Sequence, residues 1–229
     1  MNRVASFLLL SALITCSITR GMCADIEGYT DLSGSFAEKR VQELVKLGIL
    51  PKGTHSKFLP GATLTRGDFV TWLVRSNNVL QPKHQIRLAE PGTAPSFKDM
   101  SGKEPSFPYV QGMKDAGWSI GFEDGTFRPK AAITREQMIG IKACLDADKD
   151  LTKTYYSEVK NWGDWQSIDK RYFGPMCYEA MFTNNGNWQR VFGATKVCQP
   201  QKAVTRAEAA VCVWQVDGTL PKNPENFRK

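Results

Sequence analysis

Apolar side chains recur at helical spacing in six stretches of the chain, and these stretches come in three pairs. The first member of the first pair is an apolar stripe through Val41, Leu44 and Leu47 that ends at Gly48. Glycine accepts the left-handed conformation that ends many helices, so the pattern predicts a helix that stops there. The corresponding helices of the other two pairs are predicted at about 108–116 and 172–182.

The second member of each pair opens with a Thr-Arg dipeptide. Threonine is a good N-cap residue, and a longer polar side chain three positions later can return a bond to the backbone N–H of the cap. The residues three positions on are Asp68, Gln137 and Glu208. The pattern therefore predicts three capped helices, and the caps are Thr65, Thr134 and Thr205.

The two helices of each pair belong to a repeat. Arg66, Arg135 and Arg206 follow the three threonines and lie 69 and 71 residues apart. Each pair is preceded by an aromatic residue, any residue and an aspartate, and the aspartates are Asp31, Asp99 and Asp164. A single unit of this size buries too little surface alone, so the copies must pack together. We expect an all-α fold of three helix-loop-helix repeats in a pseudo-threefold trimer, with minor β pieces in the loops.

The predicted division of the chain follows from these signals and from the polar stretches between them, of which the first also contains prolines. It comprises a signal peptide at 1–24, repeats at 25–78, 96–146 and 161–216, linkers at 79–95 and 147–160, and a polar tail at 217–229.

The N-terminal segment is predicted to direct export. Arg3 precedes an apolar run from Val4 to Ile14, which is too short for a bilayer-spanning helix, and Met22-Cys23-Ala24 offers a cleavage site. Two alternatives stay open, namely a buried N-terminal helix and a lipoprotein acylated at Cys16. No later segment is apolar and long enough to span a membrane, so we expect no membrane span.

The net charge and the cysteine content limit which classes of partner, disulfide and cofactor the sequence favours. Removal of residues 1–24 takes two arginines from 30 basic and 23 acidic residues, leaving about +5. This mild excess suits an acidic polymer, and the lack of a Lys/Arg block argues against nucleic acid. Four cysteines remain, and export would permit disulfides. No Cys or His spacing is typical of a metal site, and no cofactor motif is present, so neither a metal nor a cofactor is predicted.

The repeats resemble those of the S-layer homology family. The family pattern is an aromatic-x-Asp start, a first helix, a Gly-rich loop with an Asp-Gly turn and a Phe-x-Pro end, and an Ile-Thr-Arg-Ala-Glu helix start. The second repeat matches best, through 121–129 and 133–136. The third keeps Thr205-Arg206-Ala207-Glu208 in a diverged setting, and the first lacks the Asp-Gly turn.

This resemblance implies a protein of the cell wall or the periplasm-facing envelope. The family binds acidic or pyruvylated secondary polymers, or peptidoglycan-linked glycans, non-covalently in grooves between repeats. By motif match the ligand-binding residues are Arg66, Arg135 and Arg206, together with Asp31, Asp99 and Asp164. The match favours Arg135 most and Arg66 least.

The chemistry of a helix start agrees with that assignment. An arginine inside a helix N-terminus adds a guanidinium fork to exposed N–H groups and to the positive end of the helix dipole, and a carboxylate fits both. The alternative is structural: each arginine pairs with the aspartate of its repeat and ties the loop down. The gapped alignment of the repeats also places Cys177 and Cys198 at core positions, which suggests a disulfide between them.

Two other functions remain open. The fold could serve as a scaffold for an envelope protein partner. A cell-wall hydrolase would need only two carboxylates, but Glu123 and Asp124 are better explained by the turn that holds them. Without a nucleophile, a base or a metal motif, we predict that the protein is not an enzyme.

Overall fold

A computed structural model of the protein describes residues 28–53, 56–118, 121–153, 162–182 and 186–214. The predicted signal peptide, the predicted tail and Cys16 lie outside these ranges. The described residues form an all-α structure, as predicted. The helices are α1 (Glu38–Lys46), α2 (Arg66–Leu80), α3 (Phe107–Asp115), α4 (Arg135–Asp146), α5 (Lys170–Ala180), α6 (Asn187–Phe192) and α7 (Arg206–Trp214), with single 3-10 turns at Leu151–Lys153 and Trp165–Ser167.

Five of the predicted helix positions follow their sequence signals closely. α1 ends at Lys46, with Leu47 as its C-cap. Gly48, the predicted stop, follows with a φ of +72°. Gly117 does the same after α3, with a φ of +89°. The second helices begin at Arg66, Arg135 and Arg206, directly after the three threonines.

The helix α6 was not predicted. Its six residues follow Asn184-Asn185-Gly186, a sequence that reads as a helix stop and a loop. Tertiary packing explains the helix, because Trp188 is completely buried and packs at tilted ring angles against Trp162 and Phe192. A helix this short is stable only through such packing.

The residues before the three second helices are hydrogen-bonded in a closed ring. Leu64 N donates to Val204 O at 3.0 Å, Val204 N donates to Ile133 O at 2.9 Å, and Ile133 N donates to Leu64 O at 3.0 Å. These contacts accompany three isolated antiparallel bridges, the β pieces expected in the loops. The three aliphatic side chains are 1 % exposed or less, so the ring lies within the core.

We call residues 58–62, 127–131 and 198–202 the docking loops. The first two begin with Phe58 and Phe127, both fully buried, which pack on Tyr29 and Phe97 at ring-centroid distances of 5.2 and 5.5 Å. The third begins with Cys198. In that segment, Trp162 packs instead on Trp188 of α6 at 4.6 Å.

A glycine sits against the first aromatic residue in two of the segments. A Cβ at Gly121 would lie 2.3 Å from Cε1 of Phe97, and one at Gly53 would lie 2.6 Å from Cδ1 of Tyr29. Both rings pack against the core, so neither can move aside without loss of contacts.

Gly121→Ala should therefore lower the free energy of unfolding by about 1–3 kcal/mol, the usual cost of overpacking a core. Urea denaturation followed by circular dichroism measures it. Gly102→Ala is the matched control, because nothing lies within 4 Å of the added Cβ. Equal stability of the two variants would show that the Phe97 contact is not tight.

Candidate functional site

Each docking loop is held from its own segment by the predicted aspartate. Asp31 accepts hydrogen bonds from Phe58 N at 2.7 Å and Leu59 N at 2.8 Å. Asp99 and Asp164 bind the equivalent pairs of N–H groups, which belong to Phe127 and Arg128 and to Cys198 and Gln199.

These bonds stabilise an unusual backbone conformation. The second residue of each docking loop is not glycine but adopts positive φ: 56° at Leu59, 62° at Arg128 and 48° at Gln199. That conformation costs an L-residue about 1–2 kcal/mol. Two N–H bonds to one carboxylate offset this cost, because bonds to a charged acceptor are stronger than neutral ones.

The aspartates thus bind backbone N–H groups, and among the described residues none forms an ion pair with Arg66, Arg135 or Arg206. The structural alternative proposed an ion pair between each arginine and the aspartate of its repeat, and that pairing is wrong. The physical reason is that both carboxylate oxygens already accept from the loop backbone.

Hydrogen bonding also affects the pKa of two of these aspartates, Asp31 and Asp164. Burial acts to raise the pKa of Asp31 and of Asp164, but the N–H groups of their docking loops outweigh it and hold each pKa below its ordinary value. Both side chains therefore remain ionised at neutral pH and stay competent as acceptors.

The carbonyl groups of each docking loop bind the N-terminus of a helix from a neighbouring segment. Arg206 N donates to Ala62 O at 2.8 Å, and Ala207 N donates to Pro60 O at 3.0 Å. The starts of α2 and α4 bind the loops at 127–131 and 198–202 in the same way, through Ala131 O and Pro129 O and through Lys202 O and Pro200 O. The relation runs from segment to segment and closes on itself.

The first N–H groups of these helices are therefore not exposed to a ligand. The sequence argument placed a carboxylate on them, and this part of it is wrong because loop carbonyls occupy the positive end of each helix. In α2 and α7 the third N–H group is bound by the threonine cap. Asp68 N donates to Thr65 Oγ1 at 3.1 Å, and Glu208 N donates to Thr205 Oγ1 at 3.2 Å.

The caps differ in quality. Thr205 forms a full capping box, since its N–H also donates to Glu208 Oε2 at 2.7 Å. At Thr134 one bond of the box is present, from Thr134 N to Gln137 Oε1 at 3.4 Å, whereas Oγ1 of Thr134 has no partner among the described residues. At Thr65 the hydroxyl donates to Asp68 Oδ2 at 2.8 Å, so this carboxylate is held close to its own helix.

The arginine side chains reinforce the docking. Nε of Arg66 donates to Phe127 O at 3.0 Å, and Nε of Arg206 donates to Phe58 O at 2.6 Å. Arg135 uses Nη1 for the equivalent carbonyl, Cys198 O, at 3.2 Å. Each arginine thus has a structural role before any ligand is considered.

Beyond that bond, the arginines differ in what remains available. Arg66 is completely buried, and its Nη1 donates to Gln137 Oε1 at 2.9 Å. Phe122 and Phe127 cover its guanidinium, and burial lowers its pKa. This arginine is closed to solvent.

Arg135 is also nearly enclosed. It is 9 % exposed, its Nη2 lies 3.4 Å from Glu208 Oε1, and the ring of Phe192 covers the guanidinium at 4.3 Å. The sequence favoured Arg135 as the ligand-binding residue, yet the structure gives it a carboxylate partner of its own.

Arg206 alone of the three is half-buried and not paired with an acid among the described residues. Its guanidinium lies over Phe58 at 4.8 Å and Trp72 at 5.1 Å. Gln137 is the side-chain partner of Arg66, and Glu208 is the partner of Arg135. The residue at the equivalent position beside Arg206 is Asp68. Asp68 is one methylene shorter than glutamate and is bonded to Thr65, so the terminal nitrogens of Arg206 remain available.

A polar cleft of about 320 Å³ lies between the loop of the second segment and the start of α5. Arg128 and Arg171 approach the ring of Phe122 at 3.9 and 5.0 Å. Each is paired with a carboxylate at 2.8 Å, Asp124 and Asp169 respectively. The cleft is therefore close to charge-balanced, and it is less suited to an anion than the surroundings of Arg206.

The described cysteines are buried free thiols, and the suggested Cys177–Cys198 disulfide is not formed. Cys198 Sγ instead lies 3.2 Å from Asp164 Oδ1, as a donor to the same carboxylate that binds its N–H. Burial raises the pKa of Cys177 to about 11 and that of Cys198 to about 12, so neither is a reactive thiolate.

Comparison with known families supports the resemblance. Two segments, residues 28–70 and 96–139, match the family model of the S-layer homology domain. Such domains generally anchor proteins to cell-wall polymers and are not catalytic. No curated protein matches the chain. No helix within the described ranges has the length and apolar character needed to cross a membrane.

The family match does not include the third segment, and the structure offers a reason. Cys198 stands where the other docking loops have phenylalanine, and the missing ring is replaced by Trp188 from α6. The docking contacts are kept, but the side chains that fill the space come from elsewhere in the chain.

The bond between Asp164 and its docking loop gives a pH prediction. Asparagine offers one acceptor and one donor, so in Asp164→Asn one N–H loses its partner at a cost of about 1–3 kcal/mol at pH 7. Because the native pKa of Asp164 lies below its unfolded value of about 3.9, the carboxylate stabilises the fold above that pH. This stabilisation is lost as the pH falls through the native pKa.

The difference in unfolding free energy between the protein and Asp164→Asn should thus shrink from pH 7 to below about pH 4. Urea denaturation at several pH values measures it, with Asp148→Asn at an exposed site as control. A difference that does not change with pH would contradict the assigned role of the carboxylate.

Proposed function

We propose that the protein is an exported component of the cell envelope that binds an acidic cell-wall polysaccharide non-covalently. The ligand class is a pyruvylated or otherwise acidic secondary polymer, or a peptidoglycan-linked glycan. The two S-layer homology segments support cell-wall association. The accessible guanidinium of Arg206 carries the proposal of an acidic group as the recognised chemistry.

The third segment acts in this proposal as a third repeat. The backbone ring through Leu64, Ile133 and Val204 and the cyclic docking of three helix starts on three loops support a pseudo-threefold arrangement. On that arrangement Arg206 lies at the junction of the third and first segments, where α7 docks on residues 58–62.

The side chain of Arg206 has the chemistry that recognition of an acidic sugar needs. A guanidinium fork binds a carboxylate or ketal acid through two parallel N–H bonds. Nε is fixed by Phe58 O, and the stack over Phe58 and Trp72 holds the plane of the group. An arginine oriented in advance loses less conformational entropy when its ligand binds.

Arg206→Ala should weaken sedimentation with purified cell walls about tenfold or more, the effect of losing a charge-assisted contact worth roughly 1.5–3 kcal/mol. Arg87→Ala removes the same charge from a side chain that is 87 % exposed and should bind as the parent does. Because Arg206→Ala also removes the hydrogen bond to Phe58 O, the thermal unfolding temperature of the variant is measured to confirm that it is folded.

Asp68→Glu tests the same site without removing the arginine. The longer side chain can reach Arg206 as Glu208 reaches Arg135, and it improves the capping box. We expect wall binding to fall about three- to tenfold while thermal stability is kept or raised, since each loss of about 1.4 kcal/mol is tenfold in affinity.

The same assay separates the alternatives. Unchanged wall binding by folded Arg206→Ala and Asp68→Glu would contradict the proposed site. Binding that survives extraction of the wall polymer would contradict a glycan ligand and favour a protein partner. Loss of turbidity of the walls would reveal a hydrolase.

A further inference from the structure

A small cavity of about 240 Å³ lies in the third segment, where the two 3-10 turns meet the first half of α5. Trp165, Ile168 and Phe173 form its apolar wall, and Gln166 and Lys170 are the polar residues from that side of its rim. We call this cavity the Trp165 pocket. It adjoins the polar cleft described above, because Lys170 lines both.

The tryptophan of this pocket replaces a smaller, buried residue of the other segments. The residue that directly follows the loop-binding aspartate is leucine in the first segment, methionine in the second and tryptophan in the third. Leu32 and Met100 are 4 % and 8 % exposed, whereas Trp165 is only half-buried. Its ring packs on Phe173 at a centroid distance of 5.8 Å. The third segment therefore presents an aromatic surface that the other two lack at this position.

The space beside that surface comes from a missing side chain in α5. Val41 in α1 and Val110 in α3 are fully buried, each three positions before another fully buried side chain. The corresponding position in α5, three residues before the buried Cys177, is Gly174, which lines the pocket. Glycine before Pro175 also avoids the clash of a Cβ with the proline ring. Whatever favours glycine there, the volume of a valine side chain is left open.

The polar side chains at the rim are available to a ligand. Gln166 and Lys170 are exposed, and within the described ranges neither side chain has a hydrogen bond or an ion pair. Asp169, the neighbour of Lys170 in the chain, is bound by Arg171 at 2.8 Å. A glutamine side chain both donates and accepts hydrogen bonds, and a lysine donates.

An aromatic wall, an open apolar floor and a rim of donors and acceptors suit a sugar ring. A pyranose with equatorial hydroxyls presents C–H groups on its faces and hydroxyls around its edge. The C–H groups match the electron-rich face of an indole, and the hydroxyls match Gln166 and Lys170. The cavity is smaller than the roughly 300 Å³ at which pockets for drug-sized ligands begin, so it has room for a single ring.

We propose that the Trp165 pocket binds one neutral pyranose ring, with Trp165 as the stacking surface and Gln166 and Lys170 as hydrogen-bond partners of its hydroxyls. The site is independent of the acidic group proposed for Arg206, because an uncharged sugar suffices. A glycan long enough to reach both sites would bind more tightly than through either alone, since the second contact is then intramolecular.

Saturation-transfer NMR of the full protein with methyl β-D-glucopyranoside tests this site without involving the acidic ligand. We expect saturable transfer to the ring protons with a Kd of about 1–10 mM, the weak binding that one small uncharged ring allows. Glycerol has hydroxyls but no ring face, and it should receive none. No saturable transfer to the glucoside would overturn the proposal, as would binding of benzoate in its place, which would indicate a site for aromatic acids.

Two variants assign the binding to the pocket. Trp165→Leu introduces the residue of the first segment, so it keeps an apolar contact and removes the stacking surface. It should raise the Kd about fivefold or more, the effect of losing an aromatic contact. Trp214→Leu is the matched control, because this half-buried tryptophan belongs to α7 and does not line the pocket. It should bind the glucoside as the parent does.

Gln166→Ala changes an exposed side chain and keeps the test decisive if Trp165→Leu does not fold. It should raise the Kd about threefold, as expected from the loss of one neutral hydrogen bond. The thermal unfolding temperature of each variant confirms that it is folded. An unchanged Kd in Gln166→Ala, or in folded Trp165→Leu, would overturn the assignment.

Discussion

The structure depends on the binding of each helix N-terminus to the carbonyl groups of a neighbouring docking loop. The second residue of each loop is left-handed, and an aspartate from the same segment holds that conformation through two N–H bonds. The positive end of the helix then meets a set of oriented carbonyls. Because the three contacts form a closed cycle, every segment both supplies a loop and uses one.

This constraint limits where function can arise. Arg66 and Arg206 bind a loop carbonyl through Nε, so only their terminal nitrogens can meet a ligand. Arg135 uses Nη1 for the same purpose. Whether the terminal nitrogens do so depends on one neighbouring side chain, the third residue of the next helix. Gln137 and Glu208 reach the arginine of the neighbouring segment, whereas Asp68 does not. A difference of one methylene group thus separates a structural arginine from an accessible one.

The third segment shows how the docking geometry persists when the residues that usually support it are replaced. Cys198 leaves space where a phenylalanine ring stands in the other loops, and α6 brings Trp188 into contact with Trp162 to fill it. The same short helix places Asn187 against Asp146 and Glu179, where its amide nitrogen donates a hydrogen bond to each buried carboxylate. Packing and polar burial in this segment are therefore coupled.

The sequence by itself determined the helical fold, the threonine caps and the start of each second helix, because these depend on local periodicity and on residues three positions apart. It could not determine α6, whose residues become helical only when Trp188 is buried. Nor could it tell which arginine is accessible. Arg66, Arg135 and Arg206 have the same local motif. Their exposure is set by side chains that are distant in the sequence, at separations from 71 to 148 residues, and that the closed ring brings beside them. Only the tertiary structure decided that Arg206 keeps its guanidinium available.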